Sequence, residues 1–236
     1  MRDLICLPFA GGGTAFFHPW TNLPSPGLRI RPVCPPGREG RIKEAPFTRM
    51  GPLLDWLDEQ LVPVLLRPHV LFGHSMGGMI SYAWCLRRLQ QNLPLPHVLV
   101  VSACIPPPVQ RSVLMHTLDK PTLLARLRGY DPANLAFDIY PELWDLMEPV
   151  LRADFAVVET FEPAETPRLP IPVIALSGRD DPLIPAAAMA QWASRGSGFR
   201  HHFFDGGHFF PRNAPAKVLN TIASSILDLT GSVAAR

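Results

Sequence analysis

The sequence predicts an α/β fold, in which a mostly parallel central sheet of about six or seven strands carries helices on both faces. Three observations support this prediction. Short apolar runs alternate along the chain with segments whose apolar residues recur at helical spacing. Several runs, such as residues 98–101, lack polar alternation, which is typical of strands buried on both faces. Residues 69–84 join an apolar run, a G-x-S-x-G pattern and a helical segment without a gap.

The apolar runs define the strands of this sheet. We predict strands over residues 4–7, 29–33, 69–72, 97–102, 171–177 and 199–204. Apolar residues at helical spacing predict one helix over residues 50–65 and another over residues 218–229, which ends near Gly231. The chain of 236 residues is expected to form a single domain, residues 1–236.

Residues 106–163 contain no convincing strand and interrupt the alternation. They hold two amphipathic helical patterns, one over residues 123–127 and a second over residues 143–158, which Pro141 helps to begin. An insertion after the fourth strand would lie above the carboxyl edge of the sheet, where ligands bind in such folds. We therefore expect a helical lid, called the lid insertion below; the alternative is an appendage with only a packing role.

Ser75 stands at the centre of the G-x-S-x-G pattern, Gly73-His74-Ser75-Met76-Gly77. Between a strand and a helix, this pattern forms a sharp turn that displays the serine hydroxyl and needs small flanking residues. A serine hydroxyl is a weak nucleophile, so it requires a base within hydrogen-bond reach and a third group that orients the base. We predict that Ser75 is a catalytic nucleophile for acyl groups.

The acid and the base are expected at the ends of later strands, because the order along the chain is serine, acid, histidine. Asp180 and Asp181 follow the fifth predicted strand, and His208 follows the sixth after two glycines. We expect His208 to be the catalytic base. Asp181 is the preferred catalytic acid because it lies three residues past Gly178 and leads into the next helix. Asp180 would instead cap the turn or face solvent.

The oxyanion that forms at an attacked carbonyl needs two backbone N–H donors. We expect them at Met76, which follows the nucleophile, and at Ala10 or a neighbour in the loop over residues 8–13, called the oxyanion loop below. The glycines of this loop could also indicate a nucleotide-binding loop, but neither the G-K-[ST] nor the G-x-G-x-x-G motif is present. No cofactor and no metal is expected, because the chemistry requires neither.

Composition argues against several other classes of protein. The formal net charge of +2, without a basic run, disfavours nucleic acid as a partner. No apolar run approaches the roughly 18 residues that span a membrane, and no signal peptide is visible, so we expect no membrane contact and a cytoplasmic location. The cysteines have no metal-ligand spacing and are expected to be buried free thiols. They are Cys6, Cys34, Cys85 and Cys104.

Five segments carry a resemblance to a known family. They are LPFAGG at residues 7–12, PGREGR at 36–41, FGHSMGG at 72–78, LRADF at 151–155 and FDGGHFF at 204–210. The serine motif is shared with many hydrolases, whereas PGREGR and LRADF are much more particular. With these segments the chain resembles, over nearly its whole length, the type II (editing) thioesterases that accompany nonribosomal peptide and polyketide synthases.

The resemblance implies an α/β-hydrolase fold with a mobile helical lid. It implies Ser75, Asp181 and His208 as catalytic residues, and Ala10 and Met76 as oxyanion donors. It also implies the substrate, which is an acyl thioester on the phosphopantetheine arm of a carrier protein. The acylated carrier protein would then be the partner, and we expect the enzyme to be a monomer. Family members usually carry a short extension before the first strand. This chain has almost no residues before its first predicted strand, so any strand that the extension contributes would be missing and the sheet would have six strands.

Two other functions stay open at this point. The same scaffold could serve as a general acyl-CoA thioesterase or a small-molecule carboxylesterase. A non-catalytic interaction protein with this fold is disfavoured, because no member of the triad is missing.

Some side chains have two readings that the sequence alone does not separate. Certain arginines could contact an acidic carrier or form internal ion pairs; they are Arg38, Arg41, Arg126, Arg128 and Arg152. Some apolar lid residues could line an acyl chamber or form the core of the lid; they are Met115, Leu146, Met147 and Phe155.

Overall fold

Six strands form one parallel sheet in the computed structural model, which describes residues 1–25, 27–130 and 142–231. The strands are β1 (Arg2–Leu7), β2 (Leu28–Pro32), β3 (His69–His74), β4 (Leu99–Ser102), β5 (Val173–Gly178) and β6 (Phe199–Phe204). Their order across the sheet is β2-β1-β3-β4-β5-β6, and every pair of neighbours is parallel. The predicted α/β sheet is confirmed. Strand β5 begins two residues later than predicted, after Pro172, whose nitrogen cannot donate a hydrogen bond.

The helices connect the strands and cover both faces of the sheet. The α-helices of the described residues are α1 (His18–Thr21), α2 (Met50–Leu65), α3 (Met76–Gln90), α4 (Lys120–Tyr130), α5 (Glu142–Glu159), α6 (Ala186–Met189), α7 (Phe210–Asn213) and α8 (Pro215–Gly231). Short 3-10 helices cover Thr14–Phe17, Glu39–Arg41, Met115–Thr117 and Ala190–Ser194. None of the helices in the described parts of the chain is long and apolar enough to cross a membrane.

Two apolar cores lie on opposite faces of the sheet, because successive strand side chains alternate between them. Ile5 and Leu7 of β1 join the core that α2 and α3 cover. Leu4 and Cys6 of the same strand join the core beneath α1 and α8. Burial on both faces explains why the strands appear in the sequence as continuous apolar runs.

In its described parts the lid insertion combines helices with an irregular stretch over residues 106–114, and its role as a lid stays a prediction. It contributes α4 and α5 and has its own apolar cluster, formed by Met115, Leu123, Trp144, Leu151 and Phe155. The predicted helix start at Pro141 lies outside the described residues.

The strand order places a crevice at the carboxyl ends of β1 and β3. The chain leaves β1 toward β2 on one side, and it leaves β3 toward β4 on the other. At such a switch point the two outgoing loops diverge, and ligands of open α/β sheets bind in the space between them. The oxyanion loop follows β1 and Ser75 follows β3, so both lie at this crevice.

Candidate active site

Ser75 occupies the sharp turn between β3 and α3. Its backbone has φ 54° and ψ −116°, a conformation that residues other than glycine rarely adopt. A Cβ atom at Gly73 would collide with the Gly77 carbonyl, and one at Gly77 would collide with the Leu7 carbonyl. The Ser75 N–H donates to the Ser102 carbonyl of β4 at 2.8 Å. The glycines of the motif are therefore required by the closeness of the backbone on both sides.

A hydrogen-bonded chain runs from Ser75 through His208 to Asp181. His208 Nε2 lies 3.0 Å from Ser75 Oγ, and His208 Nδ1 lies 2.8 Å from Asp181 Oδ2. The His208 residue is only 2% exposed. The three side chains follow β3, β5 and β6, so the structure brings together the residues that sequence order selects. The arrangement can move a proton from the serine hydroxyl to the imidazole.

Asp181 and Asp180 have different surroundings. The second carboxylate oxygen of Asp181 accepts the N–H groups of Leu183 at 2.9 Å and Ile184 at 3.1 Å, which fixes its orientation toward His208. Asp180 is exposed and accepts the Gly206 N–H at 3.2 Å, so it braces the loop that leads to His208. The geometry favours Asp181 as the partner of the imidazole.

His74 lies next to the nucleophile but is not placed to serve as a second base. Its ring is buried, stacks on Phe16 with ring centroids 5.4 Å apart, and its Nδ1 lies 2.9 Å from Ser102 Oγ. Burial lowers the pKa of His74 well below its usual value because the charged imidazolium loses its water, and electrostatic repulsion from the neighbouring His208 and Arg212 lowers it further. A neutral His74 forms part of the wall behind His208, at a ring-centroid distance of 5.3 Å.

The predicted oxyanion donors line one cavity together with Ser75 and His208. Met76 is the first residue of α3, so its N–H is one of those that a helix leaves without an intrahelical acceptor. In the oxyanion loop, Gly11 donates its N–H to Asp154 Oδ2 at 2.7 Å and Gly12 donates to the Phe9 carbonyl at 2.9 Å. Those two N–H groups are engaged, which favours Ala10 over its glycine neighbours as the second donor.

Two cavities meet at Ser75. The first, of about 250 Å³, is mainly apolar and is lined by Phe9, Leu127, Met147, Leu151, Phe155 and Phe209. The second, of about 330 Å³, adds polar groups from Gln110, Arg111 and Glu159. Tyr130 lines both cavities, and its ring meets the His208 ring at a centroid distance of 5.5 Å. Tyr130 was not among the predicted site residues, because it reaches the site from a distant part of the lid insertion.

The predicted chamber residues separate in the structure. Met147 and Phe155 line the first cavity. Met115 belongs to the apolar cluster of the lid insertion, and Leu146 is 51% exposed, so neither lines these two cavities.

Two arginines considered for carrier contact are internal instead. Arg38 is buried and paired with Asp154, and Arg152 bonds Glu148 and the carbonyls of His116 and Leu118. Arg41 pairs with Glu44 at 2.6 Å and is partly exposed. Two others, Arg126 and Arg128, lie exposed on α4.

The cysteines do not compete with Ser75 as nucleophiles. All four are free. Cys104 borders the second cavity, but burial raises the pKa of its thiol to about 12, so the thiol stays protonated at neutral pH. Cys34 is partly exposed rather than buried as expected, and its pKa is raised to about 11 by desolvation and by the neighbouring Glu39 carboxylate.

Comparison with known proteins identifies the family. The family model described as the thioesterase domain matches residues 2–226 of the chain. The chain belongs to the thioesterase family. The family resemblance seen in the sequence is thereby confirmed, and the α/β-hydrolase fold is shared with solved structures of the family.

Three relatives illustrate the similarity of this thioesterase-family chain to known proteins. The probable cadicidin biosynthesis thioesterase of Streptomyces griseus is 34% identical over 88% of this chain, which spans only 57% of that relative's length. The structure of the type II thioesterase BorB from the borrelidin biosynthetic cluster is 31% identical, with a TM-score of 0.81 over 95% of this chain and 91% of BorB. The RedJ thioesterase of the prodiginine pathway in Streptomyces coelicolor is 28% identical, with a TM-score of 0.87 over 94% of this chain and 89% of RedJ.

Proposed function

We propose that this protein is an editing thioesterase, which releases acyl groups from the phosphopantetheine thioester of carrier proteins in a peptide or polyketide synthase. The observation that carries the proposal is the hydrogen-bonded chain Ser75–His208–Asp181 at the carboxyl edge of the sheet. Membership of the thioesterase family selects a thioester as the bond that is cleaved. Relatives named for the cadicidin, borrelidin and prodiginine pathways support a role beside a synthase.

The catalytic cycle follows from the geometry. Ser75 Oγ attacks the thioester carbonyl while His208 Nε2 takes the hydroxyl proton. Asp181 accepts the hydrogen bond from Nδ1 and so stabilises the imidazolium that forms. The backbone N–H groups of Ala10 and Met76 stabilise the oxyanion. Collapse of the tetrahedral intermediate expels the thiolate, which takes the proton from His208 and leaves an acyl ester on Ser75.

The second half of the cycle releases the acid. A water molecule attacks the acyl ester as His208 takes one of its protons, and a second tetrahedral intermediate forms. Its collapse returns that proton to Ser75 Oγ and frees the carboxylic acid. No group beyond the triad, the two N–H donors and water takes part in these steps.

The substrate and the setting are also part of the proposal. The apolar first cavity suits an acyl chain, and the exposed Arg126 and Arg128 on α4 suit an acidic carrier surface. We propose that the enzyme works as a cytoplasmic monomer that meets its carrier transiently.

The leaving group of the substrate provides the sharpest test. One acyl chain is offered on a carrier protein, on CoA and as an oxygen ester, and kcat/KM is measured for each against the enzyme-free rate. We expect the highest kcat/KM for the carrier thioester. A general acyl-CoA thioesterase would prefer CoA or make no distinction between the two thioesters. An oxygen ester that is preferred by orders of magnitude would contradict the thioesterase proposal.

A further inference from the structure

A buried ion pair joins the lid insertion to the loops beside the active site. The side chains of Arg38 and Asp154 are only 4% and 7% exposed. Two parallel hydrogen bonds connect them, from Nη1 to Oδ2 at 2.6 Å and from Nη2 to Oδ1 at 2.8 Å. The pair connects the two segments of the sequence that are most particular to the family resemblance, PGREGR and LRADF.

Both members of the pair also hold the oxyanion loop. Asp154 Oδ2 accepts the Gly11 N–H at 2.7 Å, and Arg38 Nη1 donates to the Gly12 carbonyl at 3.0 Å. The Ala10–Gly11 peptide unit is therefore held by the carboxylate, and the Gly12–Gly13 peptide unit is held by the guanidinium. Ala10, the predicted oxyanion donor, directly precedes this clamp.

Helix α5 also packs on the same loop through an apolar contact. Gly11 has φ +78°, and a Cβ atom there would lie 2.7 Å from the Leu151 side chain. Leu151 and Asp154 are three residues apart in α5, so they share one face of the helix. The polar and apolar contacts act on the loop together.

We propose that Asp154 is a positioning residue for catalysis, which aims the Ala10 N–H at the oxyanion by clamping Gly11. This inference rests on the proposed function. An oxyanion donor is effective only when it is held in place before the charge develops, and a bidentate pair inside the protein supplies that rigidity.

Arg38 has a second role in this arrangement. A lone carboxylate near the developing oxyanion would oppose its formation through like-charge repulsion. The guanidinium neutralises Asp154 while leaving Oδ2 free to accept from Gly11 as well. The pair therefore delivers a strong acceptor to the loop without a net negative charge.

The test separates positioning from stability. Asp154→Asn and Arg38→Lys are assayed for kcat and KM on an acyl carrier thioester and on a p-nitrophenyl ester. We expect kcat to fall about 10- to 100-fold, the size of effect seen for residues that orient metal ligands, with KM within about twofold. The effect should be the same on both substrates, because both form an oxyanion.

A partly buried ion pair at the far end of α3 from Ser75 gives the controls. Arg88 of α3 is 5% exposed and pairs with Asp58 of α2 at 3.1 Å. Arg88→Lys and Asp58→Asn should lower the unfolding temperature and leave kcat within about twofold. If Asp154→Asn also keeps kcat within twofold while its unfolding temperature falls, the ion pair is purely structural and the inference is wrong. A wild-type protein that hydrolyses neither substrate would instead overturn the proposed function.

A measurement on the wild-type protein covers the case in which the variants do not fold. In a protein labelled with ¹⁵N-glycine, the Gly11 amide should exchange its hydrogen slowly, because it is bonded to a buried carboxylate. A Gly11 amide that exchanges as fast as that of the exposed Gly40 would contradict the clamp.

Discussion

At the scale of single residues, Asp180 and Asp181 form a natural pair for mutagenesis. Asp181 touches the His208 imidazole, whereas Asp180 holds the Gly206 N–H of the next loop. Asp181→Asn should lower kcat about 10³- to 10⁴-fold, because an amide favours the wrong tautomer of the histidine and cannot stabilise its charged form. Steady-state kinetics on one thioester measures this loss.

Asp180→Asn is the control for that prediction. Its amide oxygen can still accept the Gly206 N–H, so we expect kcat within a few-fold of the wild type. A larger loss of kcat for Asp180→Asn than for Asp181→Asn would reverse the assignment of the two carboxylates.

The residues of the triad could be predicted because their signals are local. Ser75, Asp181 and His208 each follow a strand and lie within three residues of a glycine, so sequence order and strand ends were sufficient to select them. Their catalytic roles stay a prediction until they are measured. Tyr130 and Asp154 reach the site from the lid insertion, and nothing in their neighbouring residues says which distant loop they contact.

At the scale of secondary-structure elements, the two helices of the lid insertion are anchored differently. Helix α5 places Asp154 in the buried pair with Arg38, and its Glu159 carboxylate accepts the N–H groups of Met115 and His116. Helix α4 buries Leu123, and its Lys120 pairs with Asp145 in an exposed contact of 3.8 Å. Exposed ion pairs add little stability.

This difference predicts unequal hydrogen exchange in the lid insertion. Amides of α4 should exchange faster than those of α5, because fewer buried contacts hold α4 in place. Hydrogen–deuterium exchange followed by peptide mass spectrometry measures both helices in one experiment. Equal protection of the two helices, or faster exchange in α5, would contradict the view that α5 is the fixed wall of the site.

The longer elements could be predicted from the sequence, and the shortest could not. All six strands were predicted from short apolar runs, and the helices α2, α5 and α8 repeat apolar residues over enough positions to show a helical period. Helices α6 and α7 have four residues each, about one turn, which is too short for a period to appear. Strand order was not predicted, because the pairing of β1 with both β2 and β3 depends on how the crossovers pack.

At the scale of the whole molecule, histidines that are buried or partly buried make folding stability depend on pH. Burial is the main cause that lowers the pKa of four of them. They are His69, His74, His201 and His202. The unfolded chain therefore binds protons more readily than the folded chain as the pH falls below about 6.5, the usual histidine pKa. Stability is fully present above this pH and decreases below it, by up to about 1.4 kcal/mol per pH unit for each proton that only the unfolded chain has bound.

His74 should account for a clear part of this loss because it is completely buried. We expect the urea midpoint of the wild type to fall between pH 7.5 and pH 5.5. In His74→Gln the same change in pH should lower the midpoint less, since one titrating group is gone. An equal decrease in both proteins would show that His74 does not resist protonation in the folded state.

The central claim is that Ser75 carries the acyl group between a carrier protein and water. The most direct measurement follows an acylated carrier protein by intact-protein mass spectrometry, with wild-type enzyme and with Ser75→Ala. The account predicts that the wild type returns the carrier to its free-thiol mass, while Ser75→Ala leaves the acylated mass unchanged beyond the enzyme-free rate. Release of the acyl group by Ser75→Ala at a rate near that of the wild type would contradict the account.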